Sequence, residues 1–135
     1  MIAPFTFLLF LVEFGILMMY TFYEYPKCST CKQAKAELKS LSLDFEAIDI
    51  KTNPPQVEML RSLMEKSGLD LKKFFNTSGN SYRALGLKDK FDTLTVDQAL
   101  ELLAADGMLI KRPILIKDGK ILQIGYRTAY EELDL

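Results

Sequence analysis

The chain has 135 residues, with 17 basic residues, 18 acidic residues, two cysteines and no histidine. This length suits one compact core and is too short for two ordinary domains. The near balance of charge gives no overall positive field for nucleic acid, so we expect no direct nucleic-acid binding. The lack of histidine removes the commonest general base and, with only two cysteines, leaves too few ligands for structural zinc. Two cysteines without a disulfide framework predict reduced thiols in the cytoplasm, and we expect no bound cofactor.

The first 17 residues are almost wholly apolar, which raises the question of a signal peptide or membrane anchor. Neither fits, because no Lys or Arg precedes the apolar run, Glu13 interrupts it, and a spanning helix needs about 20 residues. Met18 and Met19 stand directly before the first strand pattern. We therefore interpret residues 1–18 as a spurious upstream extension of a single domain over 19–135, with no membrane contact. An interfacial anchor and an extra element packed on the domain are the alternatives.

A strand, a helix and a second strand are predicted next. Aromatic and β-branched residues predict a strand over 19–25, and alternating apolar and acidic residues predict another over 45–50. Between them, residues 29–41 have the apolar spacing of a helix. The buried face of this helix is expected to hold Ala34, Leu38 and Leu41. Two strands joined through a helix form a parallel pair.

The middle of the chain, about residues 53–107, is predicted to be an all-helical insertion. Asn53-Pro54-Pro55-Gln56 predicts the start of a helix with Asn53 as its cap, and Gly68 is expected to end that helix. Further helical segments are expected over 69–75, over 81–85 after a polar loop at 76–80, and over 95–105 behind a capping box of Thr95 and Gln98.

The last part of the chain returns to strands. We predict a strand over 113–117, a turn at Asp118-Gly119 and an antiparallel strand over 120–124. Thr128-Ala129-Tyr130-Glu131 matches another capping box and predicts a short final helix. The order is therefore β-α-β, then the helices, then β-β-α, which predicts an α/β fold with a mixed four-stranded sheet.

The only two cysteines lie three residues apart in Pro26-Lys27-Cys28-Ser29-Thr30-Cys31-Lys32, between the first strand and the first helix. A C-x-x-C in this setting is typical of a redox site. Cys28 is expected at or next to the helix N-cap, where backbone N–H groups and the helix dipole favour its thiolate. Cys31 lies one turn later and can close a disulfide. Two inert, buried thiols are the alternative, although this position suits exposed thiols better.

Five sequence motifs follow one another along the chain: Tyr25-Pro26-Lys27-Cys28-Ser29-Thr30-Cys31, Lys73-Phe74-Phe75-Asn76-Thr77, Leu85-Gly86-Leu87, Asp106-Gly107-Met108-Leu109-Ile110-Lys111-Arg112-Pro113-Ile114 and Gln123-Ile124-Gly125-Tyr126. With the order of elements, these motifs resemble the arsenate reductase/Spx/MgsR family, whose members have a thioredoxin-like, glutaredoxin-like core. The resemblance covers residues 19–135.

The resemblance implies roles for four residues. It implies that Cys28 is the nucleophile and that Cys31 is the second cysteine of the C-x-x-C branches. It also implies that Arg112 faces the reactive cysteine on the substrate side, in front of a cis Pro113. A guanidinium there would favour the thiolate and could hold an oxyanion bidentately. A solvated loop arginine is the alternative for Arg112.

The chain also departs from the family pattern. The arsenate reductases have two further arginines at positions that match Asn76 and Gly125 here. Arg83 and Arg127 are expected to be surface charges rather than substitutes. We therefore expect poor arsenate reduction.

Two functions are consistent with this pattern. The first is a thiol or oxyanion reductase, in which Cys31, glutathione or glutaredoxin, or the thioredoxin system, resolves the Cys28 intermediate. The second is an Spx-like redox-sensing regulator that binds RNA polymerase, at the C-terminal domain of its α-subunit. Gly68 aligns approximately with a docking glycine of such regulators, whereas their basic tail contrasts with Glu131-Glu132-Leu133-Asp134-Leu135 here. The reductase is the favoured interpretation.

Overall fold

The computed structural model describes residues 20–135. The predictions made for residues 1–18, and Met19 as the first strand residue, lie outside the described residues. Within the described part, no helix is both long and apolar enough to span a membrane.

One sheet is formed by strands from both ends of the described chain, with a run of helices between the second and third strands. In chain order they are β1 (Tyr20–Glu24), α1 (Ser29–Ser40), β2 (Phe45–Asp49), α2 (Val57–Ser67), a 3-10 turn (Leu71–Phe74), α3 (Asn80–Ala84), α4 (Leu87–Lys90), a 3-10 turn (Phe91–Thr93), α5 (Val96–Ala105), a 3-10 turn (Gly107–Leu109), β3 (Ile114–Lys117), β4 (Lys120–Ile124) and a final 3-10 turn (Tyr130–Glu132). The sheet order is β2-β1-β3-β4. β1 is parallel to β2 and antiparallel to β3, and β3 is antiparallel to β4. The predicted α/β fold with a mixed four-stranded sheet is confirmed.

The sheet separates two hydrophobic cores, because successive side chains of a strand point to opposite faces. On one face, Phe22 and Leu115 pack with Ala34 and Leu38 of α1 and with Tyr130 of the tail. On the other face, neighbouring strand residues pack against the helices between β2 and β3. These strand residues are Tyr23, Ile114 and Ile116. We call these the α1 face and the insertion face. Ala34 and Leu38 are buried as predicted, and Leu41 is half-buried.

The start of α2 differs from the prediction. Asn53 was expected to cap this helix, but α2 begins at Val57 and Gln56 occupies the N-cap. Asn53 and Pro54 each precede a proline, and a residue before proline is pushed out of the helical region into extended backbone. The two prolines therefore delay the helix instead of opening it. Its end is as predicted, because Gly68 is the C-cap with a left-handed φ of 66°.

The capping predictions for the last two helical segments had opposite outcomes. In α5 the box is present, since Thr95 Oγ1 accepts the Gln98 N–H at 3.1 Å and Gln98 Oε1 accepts the Thr95 N–H at 2.9 Å. In the tail the box is wrong, because Ala129 occupies the N-cap of a 3-10 turn. The Glu37 carboxylate of α1 instead accepts the N–H groups of Tyr130 and Glu131, at 2.5 and 3.2 Å.

Close backbone contacts hold the segment after α5 against the end of β2 and against residues 74–76. A Cβ on Gly107 would lie 1.7 Å from the Ile50 carbonyl oxygen, so the turn after α5 contacts the end of β2 directly. Beyond it, the Asn76 N–H donates to Leu109 O and the Lys111 N–H donates to Phe74 O, each at 2.8 Å. This pairing holds residues 74–76 beside residues 109–111.

Candidate active site

Cys28 lies at the N-cap of α1, as the sequence predicted. Its backbone is extended, with φ −83° and ψ 125°, and its N–H donates to Tyr25 O at 2.9 Å. Its carbonyl accepts the Lys32 N–H at 3.0 Å and so begins the helical hydrogen bonds. The side chain is half-buried. The thiol is therefore accessible while it faces the N–H groups of the first helical turn.

The surroundings of Cys28 favour its thiolate. Partial burial opposes ionisation, but the N–H of Cys31, the Cys31 thiol, the N–H of Thr30 and the charge of Arg112 outweigh it. Together they hold the pKa of Cys28 below its ordinary value. A thiolate stabilised at a helix N-terminus is the nucleophilic form of cysteine.

Cys31 is completely buried, with 0% of its surface exposed. The expectation that the position suits exposed thiols is therefore wrong for this residue. One turn into α1, Cys31 shares the inward face with Ala34 and Leu38, and its sulfur accepts the Tyr25 N–H at 3.5 Å. Burial, with a smaller contribution from Cys28, raises the pKa of Cys31 to about 12. Cys31 is thus a protonated thiol behind an ionisable one.

Arg112 and Pro113 lie between the 3-10 turn Gly107–Leu109 and β3. The Arg112–Pro113 peptide bond is cis, as predicted. Arg112 Nη1 donates to Met108 O at 3.2 Å, and the guanidinium carbon lies 5.4 Å from the centre of the Tyr25 ring. Its Nε is buried and has no hydrogen-bond partner among the described residues. Arg112 and Cys28 line the same cavity of about 290 Å³, so the alternative of a solvated loop arginine is wrong.

The two positions at which the chain departs from the family pattern also line this cavity. Asn76 and Gly125 both contact it. An amide and a bare backbone therefore stand where the resemblance implies guanidinium groups.

Two further cations belong to the site. Arg127 is an exposed surface charge as expected, and it also lines the Cys28 cavity. Lys111 lines it as well and was not singled out from the sequence. The sequence signal for Lys111 was Gly125, because a glycine at a site leaves space that the side chain of another residue can occupy. Arg83 is a surface arginine as expected, donating to Ser78 O and Asn80 Oδ1 at 2.8 and 2.6 Å.

No metal centre is evident among residues 20–135. In this described part of the chain, no three or more Cys, His, Asp or Glu side chains cluster as metal ligands would. The chemistry available here is that of a thiolate, a buried thiol and three cations.

Comparisons with known proteins show which proteins this chain is similar to. A model of the ArsC family matches residues 23–132. A crystal structure of a possible arsenate reductase from Streptococcus mutans UA159 is 69% identical, with a TM-score of 0.84, over 87% of this chain and 99% of that chain. YusI of Bacillus subtilis is 54% identical, over 85% of this chain and 98% of YusI. The regulatory protein MgsR of the same organism is 32% identical, over 81% of this chain and 84% of MgsR.

Proposed function

The chain belongs to the ArsC family, and from this premise we propose that it is a thiol–disulfide oxidoreductase with Cys28 as the nucleophile. The observation that carries the proposal is the contrast between the two thiols. Cys28 is half-buried with a lowered pKa, whereas Cys31, one turn away, is buried with a raised pKa. A ready thiolate backed by a protonated thiol suits attack followed by internal resolution.

The proposed reaction has two exchange steps. The Cys28 thiolate attacks one sulfur of a substrate disulfide, a bond forms to Cys28 Sγ, and the other substrate sulfur leaves as a thiolate. Cys31 then gives up its proton to the departing thiolate and attacks Cys28 Sγ, which releases the second substrate sulfur as a thiolate. This thiolate takes from water the proton that Cys28 lost when it ionised. The substrate gains two electrons and two protons, and the protein is left with a Cys28–Cys31 disulfide. Glutathione with glutaredoxin, or the thioredoxin system, would reduce that disulfide.

Arg112 and Pro113 would form the substrate side of this reaction. The Arg112 charge stabilises the Cys28 thiolate before attack and a departing thiolate after it. Pro113 follows Arg112 at the start of β3 and fixes the backbone next to the cavity.

We expect disulfide exchange to exceed arsenate reduction. Asn76 and Gly125 replace two groups that would grip an oxyanion bidentately. Lys111 restores positive charge to the cavity, but its ammonium is a point charge and lacks the planar fork of a guanidinium. Arg127 has that fork, but it is exposed at the cavity, where solvent weakens its hold on an anion. A disulfide substrate does not need a bidentate contact with arginine, so the loss of these two arginines weakens its binding less than that of arsenate.

Single-turnover mass spectrometry tests the proposal without an external reductant. The reduced chain is mixed with bis(2-hydroxyethyl) disulfide and quenched with acid at intervals. The wild type should lose two hydrogens as the Cys28–Cys31 disulfide forms. Cys31→Ser should accumulate the mixed disulfide on Cys28, and Cys28→Ser should stay unmodified. Ser29→Ala, next to Cys28 but without a thiol, serves as the matched control and should react like the wild type.

Two outcomes would contradict the proposal. A mixed disulfide that forms on Cys31 in the wild type would reverse the roles of the cysteines. Arsenate turnover with glutathione and glutaredoxin that exceeds disulfide exchange, and that disappears in Cys28→Ser, would make the protein an arsenate reductase instead.

A redox-sensing regulator is the second candidate, favoured by the relationship to MgsR and by the position of Gly68. No atom of the described residues lies within 4 Å of where a Gly68 side chain would begin, so this helix end is open to a partner. A pull-down with the C-terminal domain of the α-subunit of RNA polymerase tests it. Binding that Gly68→Arg abolishes and Gly68→Asn retains would support the regulator, because Asn tolerates the left-handed backbone.

A further inference from the structure

Three cations line the Cys28 cavity, and none of them has an ion pair with a carboxylate of residues 20–135. These cations are Lys111, Arg112 and Arg127, and no Asp or Glu of the described residues lines the cavity with them. The ion pairs recorded within residues 20–135 involve Lys35 and Arg61 instead. The whole chain has a formal charge of −1, so this positive charge is a local property of the site. Unpaired cations in one cavity create a field that attracts anions.

The position of Lys111 depends on the missing side chain at 125. Gly125 has a φ of 79°, and a Cβ there would lie 2.8 Å from Cε of Lys111. The Lys111 stem therefore occupies the space that any other residue at 125 would take. The Lys111 N–H is itself bonded to Phe74 O at 2.8 Å, which fixes the base of the side chain.

The position of Arg127 depends on one side-chain amide. Gln123 Oε1 accepts the N–H groups of Arg127 and Thr128 at 3.1 and 3.0 Å, and Gln123 Nε2 donates to Thr128 O at 2.9 Å. Gln123 thus ties the loop after β4 back onto the strand that it leaves. Arg127 itself is exposed at the rim of the cavity.

A second cavity, of about 430 Å³, shares two lining residues with the first. Lys111 and Arg127 line both, and Lys73 adds another cation to the second. Apolar side chains of β4, among them Ile121 and Ile124, line it too. A molecule that reacts at Cys28 and extends past Lys111 and Arg127 would meet this apolar wall.

We propose that the Lys111 and Arg127 pair selects disulfides that carry a carboxylate a few bonds from the reacting sulfur. The carboxylate would lie between the two cations while Cys28 attacks, and Gly125 and Gln123 would act as positioning residues. This proposal rests on the proposed exchange reaction and names its substrate class. The same cations would stabilise the thiolate that departs.

Three small disulfides of similar size test the proposal on the full reduced chain: dianionic dithiodipropionate, neutral bis(2-hydroxyethyl) disulfide and dicationic cystamine. Each rate constant is divided by that of free dithiothreitol, which removes differences in intrinsic reactivity. The anionic disulfide should then exceed the neutral one by about tenfold, and the excess should shrink as salt screens the cations. Equal normalised rates would overturn the selectivity and leave exchange intact, whereas inertness towards all three would overturn exchange itself.

Charge-neutral variants locate the selectivity. Lys111→Gln and Arg127→Gln should each lower the anionic-to-neutral rate ratio about fivefold, and the double variant should lower it further. Lys120→Gln removes an exposed lysine that does not line either cavity, and its ratio should match the wild type. Unchanged ratios in the Lys111 and Arg127 variants would assign the preference elsewhere and overturn the proposal.

The carboxylate could come from a small thiol or from an acidic peptide segment. A peptide disulfide with Asp beside its cysteine, compared with the Asn version, separates the two sources. An Asp-to-Asn ratio above that of the small disulfides identifies a polypeptide substrate, and a lower ratio identifies a small one. Equal rates for every charged and neutral pair would again overturn the proposal.

Discussion

The two faces of the sheet contribute different halves of the site. The α1 face supplies the thiols, because Cys28 begins α1 and Cys31 lies on its buried side. The insertion face supplies Arg112 and Lys111, through the chain that leaves α5 and passes Gly107. The nucleophile is therefore organised by its own helix, whereas its cations depend on how the insertion is held against the sheet.

The two faces are also stabilised differently. The insertion face has the larger core, built from helices that pack on one another and on the strands. The core of the α1 face is smaller, and a charged network centred on Glu37 joins α1 to the tail. We expect the insertion face to depend on close apolar packing, and the α1 face to depend more on charge.

The largest expected effect comes from breaking the contact between the insertion and the sheet. In Gly107→Ala the new Cβ would overlap the Ile50 carbonyl oxygen, and two backbones would have to separate. We expect a loss of about 3 kcal/mol in the free energy of unfolding, measured by urea denaturation. Gly68→Ala is the control, since its Cβ would meet open space and its left-handed φ should cost about 1 kcal/mol. A smaller loss for Gly107→Ala than for the control would show that this contact is dispensable.

The next effect separates the thiol from its cation. Arg112→Gln removes a charge that lowers the pKa of Cys28, so the alkylation midpoint of Cys28 should move up in pH. At neutral pH the rate with iodoacetamide should fall about tenfold, because a smaller fraction of the thiol is ionised. Arg83→Gln removes a guanidinium outside the cavity and should not move the midpoint. An unmoved midpoint in Arg112→Gln would mean that α1 alone sets the reactivity of Cys28.

The charged network of the α1 face gives a smaller effect that depends on pH. Glu37 accepts hydrogen bonds from Tyr126, Tyr130 and Glu131, and these bonds outweigh partial burial and hold its pKa below the ordinary value. A lowered native pKa makes the carboxylate stabilising above the ordinary value of about 4.3, and the contribution is lost as pH falls through the native pKa. Glu37→Gln should therefore cost about 1 kcal/mol near pH 7 and much less in acid.

Denaturation of wild type and Glu37→Gln at several pH values measures this difference. Glu46→Gln, on the exposed side of β2, is the matched control. A cost that stays constant from neutral to acidic pH would show that Glu37 acts through its shape and not through its charge.

The sequence predicted what local patterns encode. Thr95 and Gln98 cap α5 as expected, and Cys28 lies at the predicted N-cap, because both depend on neighbours within one helical turn. The predicted cap by Thr128 is wrong, because the Glu37 carboxylate accepts the N–H groups of the tail instead. Glu37 lies far from the tail in sequence, so no local pattern could reveal this contact.

For the cations of the site too, the sequence predicted what depends on neighbouring residues and missed what depends on distant ones. Arg112 was found through a motif that surrounds it, whereas the place of exposed Arg127 at the cavity depends on the folded loop after β4. Lys111 was missed for a related reason, since its place depends on the glycine at 125 in another segment.

The smallest expected effect tests whether the loop after β4 is held for function. Gln123→Met keeps the length of the side chain and removes its bonds to Arg127 and Thr128. Arg127 should then sample more positions, and the anionic-to-neutral rate ratio should fall about twofold through KM, because a mobile cation gives up part of its interaction with a bound carboxylate. A merely structural role would lower both rates alike and leave the ratio unchanged.

The combined Gln123→Met and Arg127→Gln variant completes the test. If Gln123 acts by placing Arg127, the second substitution should mask the first. Two effects that multiply independently would show that Gln123 influences the site by another route.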